Sequence, residues 1–238
     1  LTDDDPGVAD VPRVQYNATS TTFLLSLAGL VSVSDIKSNA LVNGEVSAYI
    51  GAPAGGPVTG GDGVIDITGD TTVNAWSDMN ANAGYNDDSF TFSGGALSSI
   101  NFFTTVTDVA GVTQAFVGQG GSLKAAKLDV DANGDYDAVS DTKAIGLSGA
   151  VTVSDVSASA TVSGTVDAHI GSAKGTMPSS NIGIVDITGP ITVDAIGNML
   201  ASPDILSVGA AGILQLSLLE QVATVSGSVL GYIGEGVD

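Results

Sequence analysis

Apolar and polar residues alternate along much of the chain. Ala40, Val42, Gly44, Val46, Ala48 and Ile50 share one side of an extended segment, and Asn43, Glu45, Ser47 and Tyr49 share the other. The run from Ala160 to Ile170 repeats the arrangement, with Thr165, Asp167 and His169 on the polar side. A period of two held over about ten residues predicts strands with one buried face. Helical periodicity is weak. Its one candidate, Ala210 to Ala223, contains Gly212 and lacks clean capping.

The same phrases recur at an offset of 120 residues. Val31-Ser-Val-Ser-Asp35-Ile returns as Val151-Thr-Val-Ser-Asp155-Val. The stretch from Ala40 to Gly51 returns from Ala160 to Gly171, and Val64-Ile-Asp-Ile-Thr-Gly69 returns as Ile184-Val-Asp-Ile-Thr-Gly189. A shorter signature lies inside: a small residue, a ring, a β-branched residue, then Gly. It occurs as Ala48-Tyr-Ile-Gly51, Ala115-Phe-Val-Gly118, Ala168-His-Ile-Gly171 and Gly231-Tyr-Ile-Gly234, at spacings of 67, 53 and 63 residues.

Small buried residues recurring at equivalent positions suit stacked repeats whose neighbours complete the core. The expectation is an all-β parallel β-helix, a β-solenoid in which each unit of roughly 60 residues winds three coils of about 20. Thr68-Gly69 and Thr188-Gly189 would then be corners. Tandem antiparallel β-sandwiches are the alternative, with those pairs as hairpin turns. Residues 1–28 read as an N-terminal segment or cap. Residues 29–238 read as the solenoid, in units of 29–95, 96–147, 148–210 and a truncated 211–238.

The alternating Val-Ser-Ala-Thr-Val-Ser-Gly phrases, each followed by Ile-Gly, a Gly-rich loop and a Val-Thr-Val-like strand, resemble giant repetitive bacterial surface proteins. These are the filamentous-haemagglutinin-like and leukotoxin-type filamentous adhesins. The resemblance covers most of residues 29–236. It implies a right-handed β-helix with a secreted or cell-surface structural or adhesive role, and it carries no functional residue across.

Composition narrows the chemistry. Among 238 residues there are 26 acids against 6 Lys and Arg, a net charge of −20. Such a chain has no basic footprint for nucleic acid or anionic membranes. Only Glu45, Glu220 and Glu235 are glutamates, and aspartate prefers turns and metal loops to helix interiors. Mean hydropathy of +0.34 is too apolar for a disordered segment. There is no Cys, which removes disulfides, thiol catalysis and zinc–thiolate sites. No apolar run reaches the ~18 residues of a membrane-spanning helix. The opening Leu-Thr-Asp-Asp-Asp lacks a basic n-region and reads as a processed chain or a piece of a longer one.

One His (His169), Arg13 and the scattered Lys37, Lys124, Lys127, Lys143 and Lys174 leave little for acid–base or nucleophilic catalysis. The chain is therefore expected not to be an enzyme. A β-helix polysaccharide-active enzyme, which needs paired acids beside a base, is the remotest alternative.

The sharpest motif is metal-like. Asp129, Asp131, Asn133, Asp135 and Asp137 occupy alternate positions around Gly134, with Ser140 and Asp141 closing the run. This matches the front of a calcium loop, in which hard oxygen ligands flank a Gly at the sharp turn. The predicted Ca2+ ligands are Asp129, Asp131, Asn133, Asp135, Asp137 and Asp141. The competing reading is a solvated acidic turn at Asn133-Gly134.

Weaker groups are Asp3-Asp4-Asp5, then Asp78, Asn80 and Asn82, and Asn86-Asp87-Asp88. Solvated loops are the expectation for each. His169 takes the slot of Tyr49, Phe116 and Tyr232, so packing or display is expected rather than catalysis. Trp76 reads as a half-buried strand residue or a sugar-stacking platform. Phe90, Phe92, Phe102 and Phe103 read as filling a widened core, covering an insertion or making a subunit contact. Asn17-Ala-Thr19 fits a glycosylation sequon.

The functional expectation is a structural subunit or segment of an extracellular filament or cell-surface adhesin, stiffened by calcium. Self-association into fibres would join Val225 to Gly236 of one copy to Phe23–Leu27 of the next. The alternative is a calcium-dependent module that binds a glycan or a partner surface.

Overall fold

The structure, a computed structural model, describes residues 13–51, 64–84, 89–118, 122–174 and 184–235. Among them every regular element is a strand. The first circuit of the chain holds β1 (Val14–Ser20), β2 (Phe23–Ala28), β3 (Val31–Ile50) and β4 (Val64–Asp66). The second holds β5 (Asp70–Ala83), β6 (Ser89–Gly95), β7 (Ser98–Val117) and β8 (Ser122–Ala125). The third holds β9 (Lys127–Ser148), β10 (Val151–Val162), β11 (Thr165–Ile170) and β12 (Val185–Ile187). The fourth holds β13 (Ile191–Ala211), β14 (Leu214–Val225) and β15 (Ser228–Ile233).

Each circuit feeds the two large sheets in the same order, and the first three also feed a third. The first sheet runs β1/β2, β5/β6, β9, β13. The second runs β3, β7, β10/β11, β14/β15, and the third, small sheet runs β4, β8, β12. All ladders are parallel.

Both expected architectures are corrected by this arrangement. The antiparallel sandwiches are excluded by the parallel pairing, and Thr68-Gly69 and Thr188-Gly189 are bends between the third and first sheets rather than hairpins. The β-helix with three coils of about 20 residues per unit is excluded by strand length. β3 and β7 are 20 residues long, β13 is 21 and β9 is 22. A 20-residue coil needs several corners, and these stretches have none. A whole unit instead makes one circuit. The alternation signals strands, but nothing in it marks where a strand stops. The weak helical candidate is corrected too: Ala210 to Ala223 spans the end of β13, a corner and most of β14. Val14–Ala28, expected as a separate segment or cap, supplies the edge strands of the first sheet.

Residues 120 apart lie on opposite sides of one β7 residue. Val31 and Val151 both pair with Ser98, and Val42 and Val162 both pair with Val109. Two-residue corners join the first sheet to the second at positions 29–30, 96–97, 149–150 and 212–213. They stack through backbone bonds: Leu97 N donates to the Leu30 carbonyl (2.9 Å), Ala150 N to Leu97 (3.1 Å) and Ile213 N to Ala150 (3.0 Å).

The two large sheets pack face to face. Between them lies an aliphatic zone that includes Leu123, Leu128, Val130, Val109, Val162 and Val166. Full burial of such a side chain is worth about 1.5–3 kcal/mol. Nearer the corners the interior turns polar, and several buried hydroxyls pair across the gap, whereas those of Ser34, Thr91 and Ser154 have no partner. Thr105 is hydrogen-bonded to Thr142 and to Ser140 at 2.6 Å each, and Ser26 to Ser32 at 2.8 Å. A buried hydroxyl without such a partner is costly.

One interior row sets the fit between the sheets. Tyr16, Met79, Tyr136 and Met199 align across the first sheet. Opposite them, on the side of the second sheet, stand Gly44, Gly111, Gly164 and Gly227, each directly under one large side chain. A Cβ on Gly164 would run into the Tyr136 ring, and a Cβ on Gly111 would meet the Met79 sulfur. Met79 and Tyr136 are fully buried. The Tyr136 hydroxyl shares a hydrogen bond with Thr113 Oγ1 (2.7 Å) and donates to the Thr165 carbonyl (3.2 Å).

The rigid ring and the flexible thioether should respond differently. Gly164→Ala is expected to destabilise by about 1–3 kcal/mol through overpacking. That outweighs the ~0.4–1 kcal/mol gained from a less flexible unfolded chain. Gly111→Ala should cost less, because the Met79 end can swing aside. Urea unfolding midpoints test both, and a Gly164→Ala midpoint at or above the parent's would remove this row from the account.

Candidate functional site

The outer face of the first sheet carries the acidic motif. β9 is its central strand, paired to β5 and β6 on one side and β13 on the other. Asp129, Asp131, Asn133, Asp135 and Asp137 all point outward from it, separated by the buried Val130, Ala132, Gly134 and Tyr136. Asp141 lies further along the same side. Asn133-Gly134 is therefore not a turn, and the run does not wrap around a point. Alternate residues of a strand sit ~6.6–6.8 Å apart along it. The motif is a row on a flat face rather than a loop. Among the described residues no group of three or more His, Asp or Glu is disposed to hold a metal ion.

The close carboxylate neighbours come from adjacent strands instead. Asp131 stands opposite Asp194, Asp135 opposite Asp78, and Asp141 opposite Asp204. Strand spacing places such partners ~4.8 Å apart. Asp78 is fixed by two amides, from Gln15 Nε2 (3.2 Å) and Asn80 Nδ2 (2.5 Å). Lys127 bonds Asp129, and that bond, with a smaller contribution from Thr192, holds the Asp129 carboxyl below the usual value.

The other three acids are shifted the opposite way. Partial burial pushes Asp131 up, helped by the charges of Asp129 and Asp194. Burial and Asp78 raise Asp135, against the pull of Arg13. Burial, Asp135 and Asp78 raise Asp137. Each of these carboxylates is thus ionised in an environment that opposes its charge.

Asn17 and Thr19 of the sequon point outward from β1. They share a shallow depression with Asn80, Asn82, Asp137 and Asp204. Asp3–Asp5 and Asn86–Asp88 lie outside the described residues. Trp76 is partly exposed on the same sheet, and the Arg13 guanidinium lies 3.6 Å over its ring. The four phenylalanines do not form one patch. Phe90 and Phe92 lie on the outer face of the first sheet, with Phe23 stacked on Phe90 at 5.6 Å. Phe102 is outside the second sheet, and only Phe103 is buried in the core.

The second sheet carries a column of rings. Tyr49, Phe116, His169 and Tyr232 stack at 5.1, 5.0 and 5.2 Å with interplanar angles of 10°, 4° and 5°. Parallel pairing in equal register creates it, since His169 pairs with both Phe116 and Tyr232. His169 is buried, 3.2 Å from the Asp167 carboxylate. The Tyr232 hydroxyl accepts a bond from Lys174 N at 2.7 Å.

Sequence reasoning named the outward acids of β9 but missed their partners Asp194 and Asp204. The offset that relates β9 to β13 is the 63 residues already present in the last ring spacing. Applied to Asp131 and Asp141, it lands on Asp194 and Asp204. No protein-family model, curated protein or solved structure matches the chain.

The acid row should make stability fall as pH rises. Asp131, Asp135 and Asp137 have folded-state values above their unfolded ones. The native state therefore takes up protons first on acidification, and their cost is fully present above the raised values. It is gone below the unfolded value near 3.8. Asp129, shifted down, acts in the opposite sense. Asp137→Asn should raise the melting temperature at pH 7, with the gain shrinking to nothing as pH falls through the carboxylate range. A pH-independent difference between the two proteins in thermal scans would contradict this origin.

Proposed function

We propose that the chain is a structural element of an extracellular or cell-surface assembly, a stiff β framework that builds length and presents flat outer faces. The observation that carries this reading is the pair of open edges. Among the described residues β1, β2 and β3 pair on one side only, as do β13, β14 and β15. Such edges expose rows of unpaired N–H and C=O groups that template further strands. Apolar side chains are exposed at both: Phe23 and Leu27 at 69% and 68%, Ile213 and Ile233 at 82% and 63%. The resemblance to repetitive filamentous adhesins, the scarcity of His, Lys and Arg and the lack of Cys point the same way.

Electron microscopy of the purified chain tests this reading. Rods or fibres that lengthen with protein concentration at physiological salt are expected. Single compact particles at every concentration and salt would end it.

A cation-stiffened version is favoured by the opposed Asp131–Asp194 and Asp78–Asp135 pairs. A Ca2+ shared between adjacent strands would relieve their repulsion, with coordination completed by nearby amides and water. Calcium should then raise the melting temperature beyond the effect of sodium chloride at matched ionic strength, and Asp131→Ala should lose most of that excess. Equal shifts with both salts would leave only screening.

A further inference from the structure

The structural reading above leaves open what the edges meet. Resting on that reading, we propose that the last circuit of one copy docks on the first circuit of a second copy, with β13 against β1 and β2, and β14 and β15 against β3. Both large sheets then continue in one common register, as β13 continues β9 and β14 continues β10. In this register position 220 meets position 37, and position 197 meets position 14.

Strand geometry permits that step. The span Leu214–Ile233 matches β3, Val31–Ile50, in length. Hydrogen-bond phase matches as well. Leu128 N donates to the Pro190 carbonyl, so even-numbered residues of β13 address β9 and odd-numbered ones the open edge. Gly84 N donates to the Ser20 carbonyl, so even-numbered residues of β1 address β5 and odd-numbered ones its open edge. A parallel ladder sets a residue facing the gap against one facing away. The proposed register does so at each position. Pro203 lies on the odd set, so its missing donor falls on the open edge and removes one ladder bond.

The interior rows continue in kind. Leu219, Ala223, Val225, Val229 and Ile233 would meet Ile36, Ala40, Val42, Val46 and Ile50 of the second copy. Gly227, under Met199, would meet Gly44, under Tyr16. Outside, Leu206 and Val208 would cover Phe23 and Leu25, and Leu214 and Leu216 would cover Val31 and Val33. All eight are exposed in the single chain. Tyr232 would stack on Tyr49 and extend the column of rings into the next copy.

Charge selects the pairing of unlike edges. β13, β14 and β15 carry Asp194, Asp204 and Glu220 and no Lys or Arg. The opposite edge carries Arg13 and Lys37 beside Asp35 and Glu45; in this register Lys37 would lie directly against Glu220, while Asp35 and Glu45 would face the uncharged Leu218 and Ser228. Two last-circuit edges would instead oppose acid to acid. The contact is heterologous, so it propagates rather than closing at a dimer. A net charge of −20 per copy opposes it, so association should strengthen with salt.

Because the chain has no Cys, disulfide trapping reads the register directly. Asn43→Cys combined with Ser226→Cys places thiols on the same exposed row of adjoining copies, within the Cα separation of ~4.4–6.8 Å that a disulfide needs. Mild oxidation should give a ladder of covalent oligomers on non-reducing gels. Asn39→Cys with Ser226→Cys, four residues out of register, should not. Lys37→Glu should weaken assembly by about three- to tenfold, and adding Glu220→Lys should restore it. Fibres by microscopy without the matched cross-link would overturn this contact and leave the structural reading standing. No association under any condition would overturn both.

Discussion

The separation and registration of the two large sheets depend on one steric fit. Tyr16, Met79, Tyr136 and Met199 each cross the interior and end on a residue without a side chain. Aliphatic contacts elsewhere are non-directional and would tolerate a small slide between the sheets. A tyrosine ring over a glycine does not, because a shift of one residue sets the ring against a Cβ. Slippage by one position would also turn the whole apolar set of a strand outward. The Thr113 hydroxyl and the Thr165 carbonyl add direction by fixing the Tyr136 phenol. These contacts are made across the sheets, so each circuit is registered by its opposite face as well as by its neighbours.

Equal register in parallel strands decides what the outer faces look like. In the inner strands every side chain has a neighbour of the same row ~4.8 Å away on each side. Where the circuits carry like residues, the fold turns similarity into columns. For rings this is favourable, and Tyr49, Phe116, His169 and Tyr232 form a continuous stack. For carboxylates it is unfavourable: burial first, and then the facing charges of Asp194 and Asp78, push Asp131 and Asp135 up. One geometric rule thus yields both the ordered column on one sheet and the electrostatic tension on the other.

Much of this is legible in the sequence, and the failures have identifiable physical causes. Alternation places Ala40 and Val42 inside and Asn43 and Glu45 outside, as the structure does. The ring-and-Gly signature marks residues that stand in one row. Three things were hidden. The length of a strand is not encoded by its alternation, so a whole circuit was mistaken for three coils. Alternation puts Gly44 and Gly164 on the buried side, but nothing in it marks the glycines of the inner row as sites of close approach to residues more than 20 positions away. The offset between neighbouring strands also varies. β5 relates to β9 by 57 residues and β6 by 53. The difference arises at Gly84, whose φ of 96° ends β5 where β9 continues without a break.

The acidic motif shows why local chemistry lost. Asn133-Gly134 within an aspartate run is a strong turn and calcium-loop signal when the segment is read alone. β9, however, is flanked on both sides, and its backbone groups are paired with β5, β6 and β13. Turning at Gly134 would break ladder bonds on two sides and leave buried amides without partners, a penalty of about 1–3 kcal/mol each. A local turn preference amounts to a fraction of that. Gly134 has a second reason to be glycine, because a Cβ there would press on Val166 of the opposite sheet. The residue that looked like the hinge of a metal loop is a packing site, and the aspartates around it face outward because their neighbours must face in.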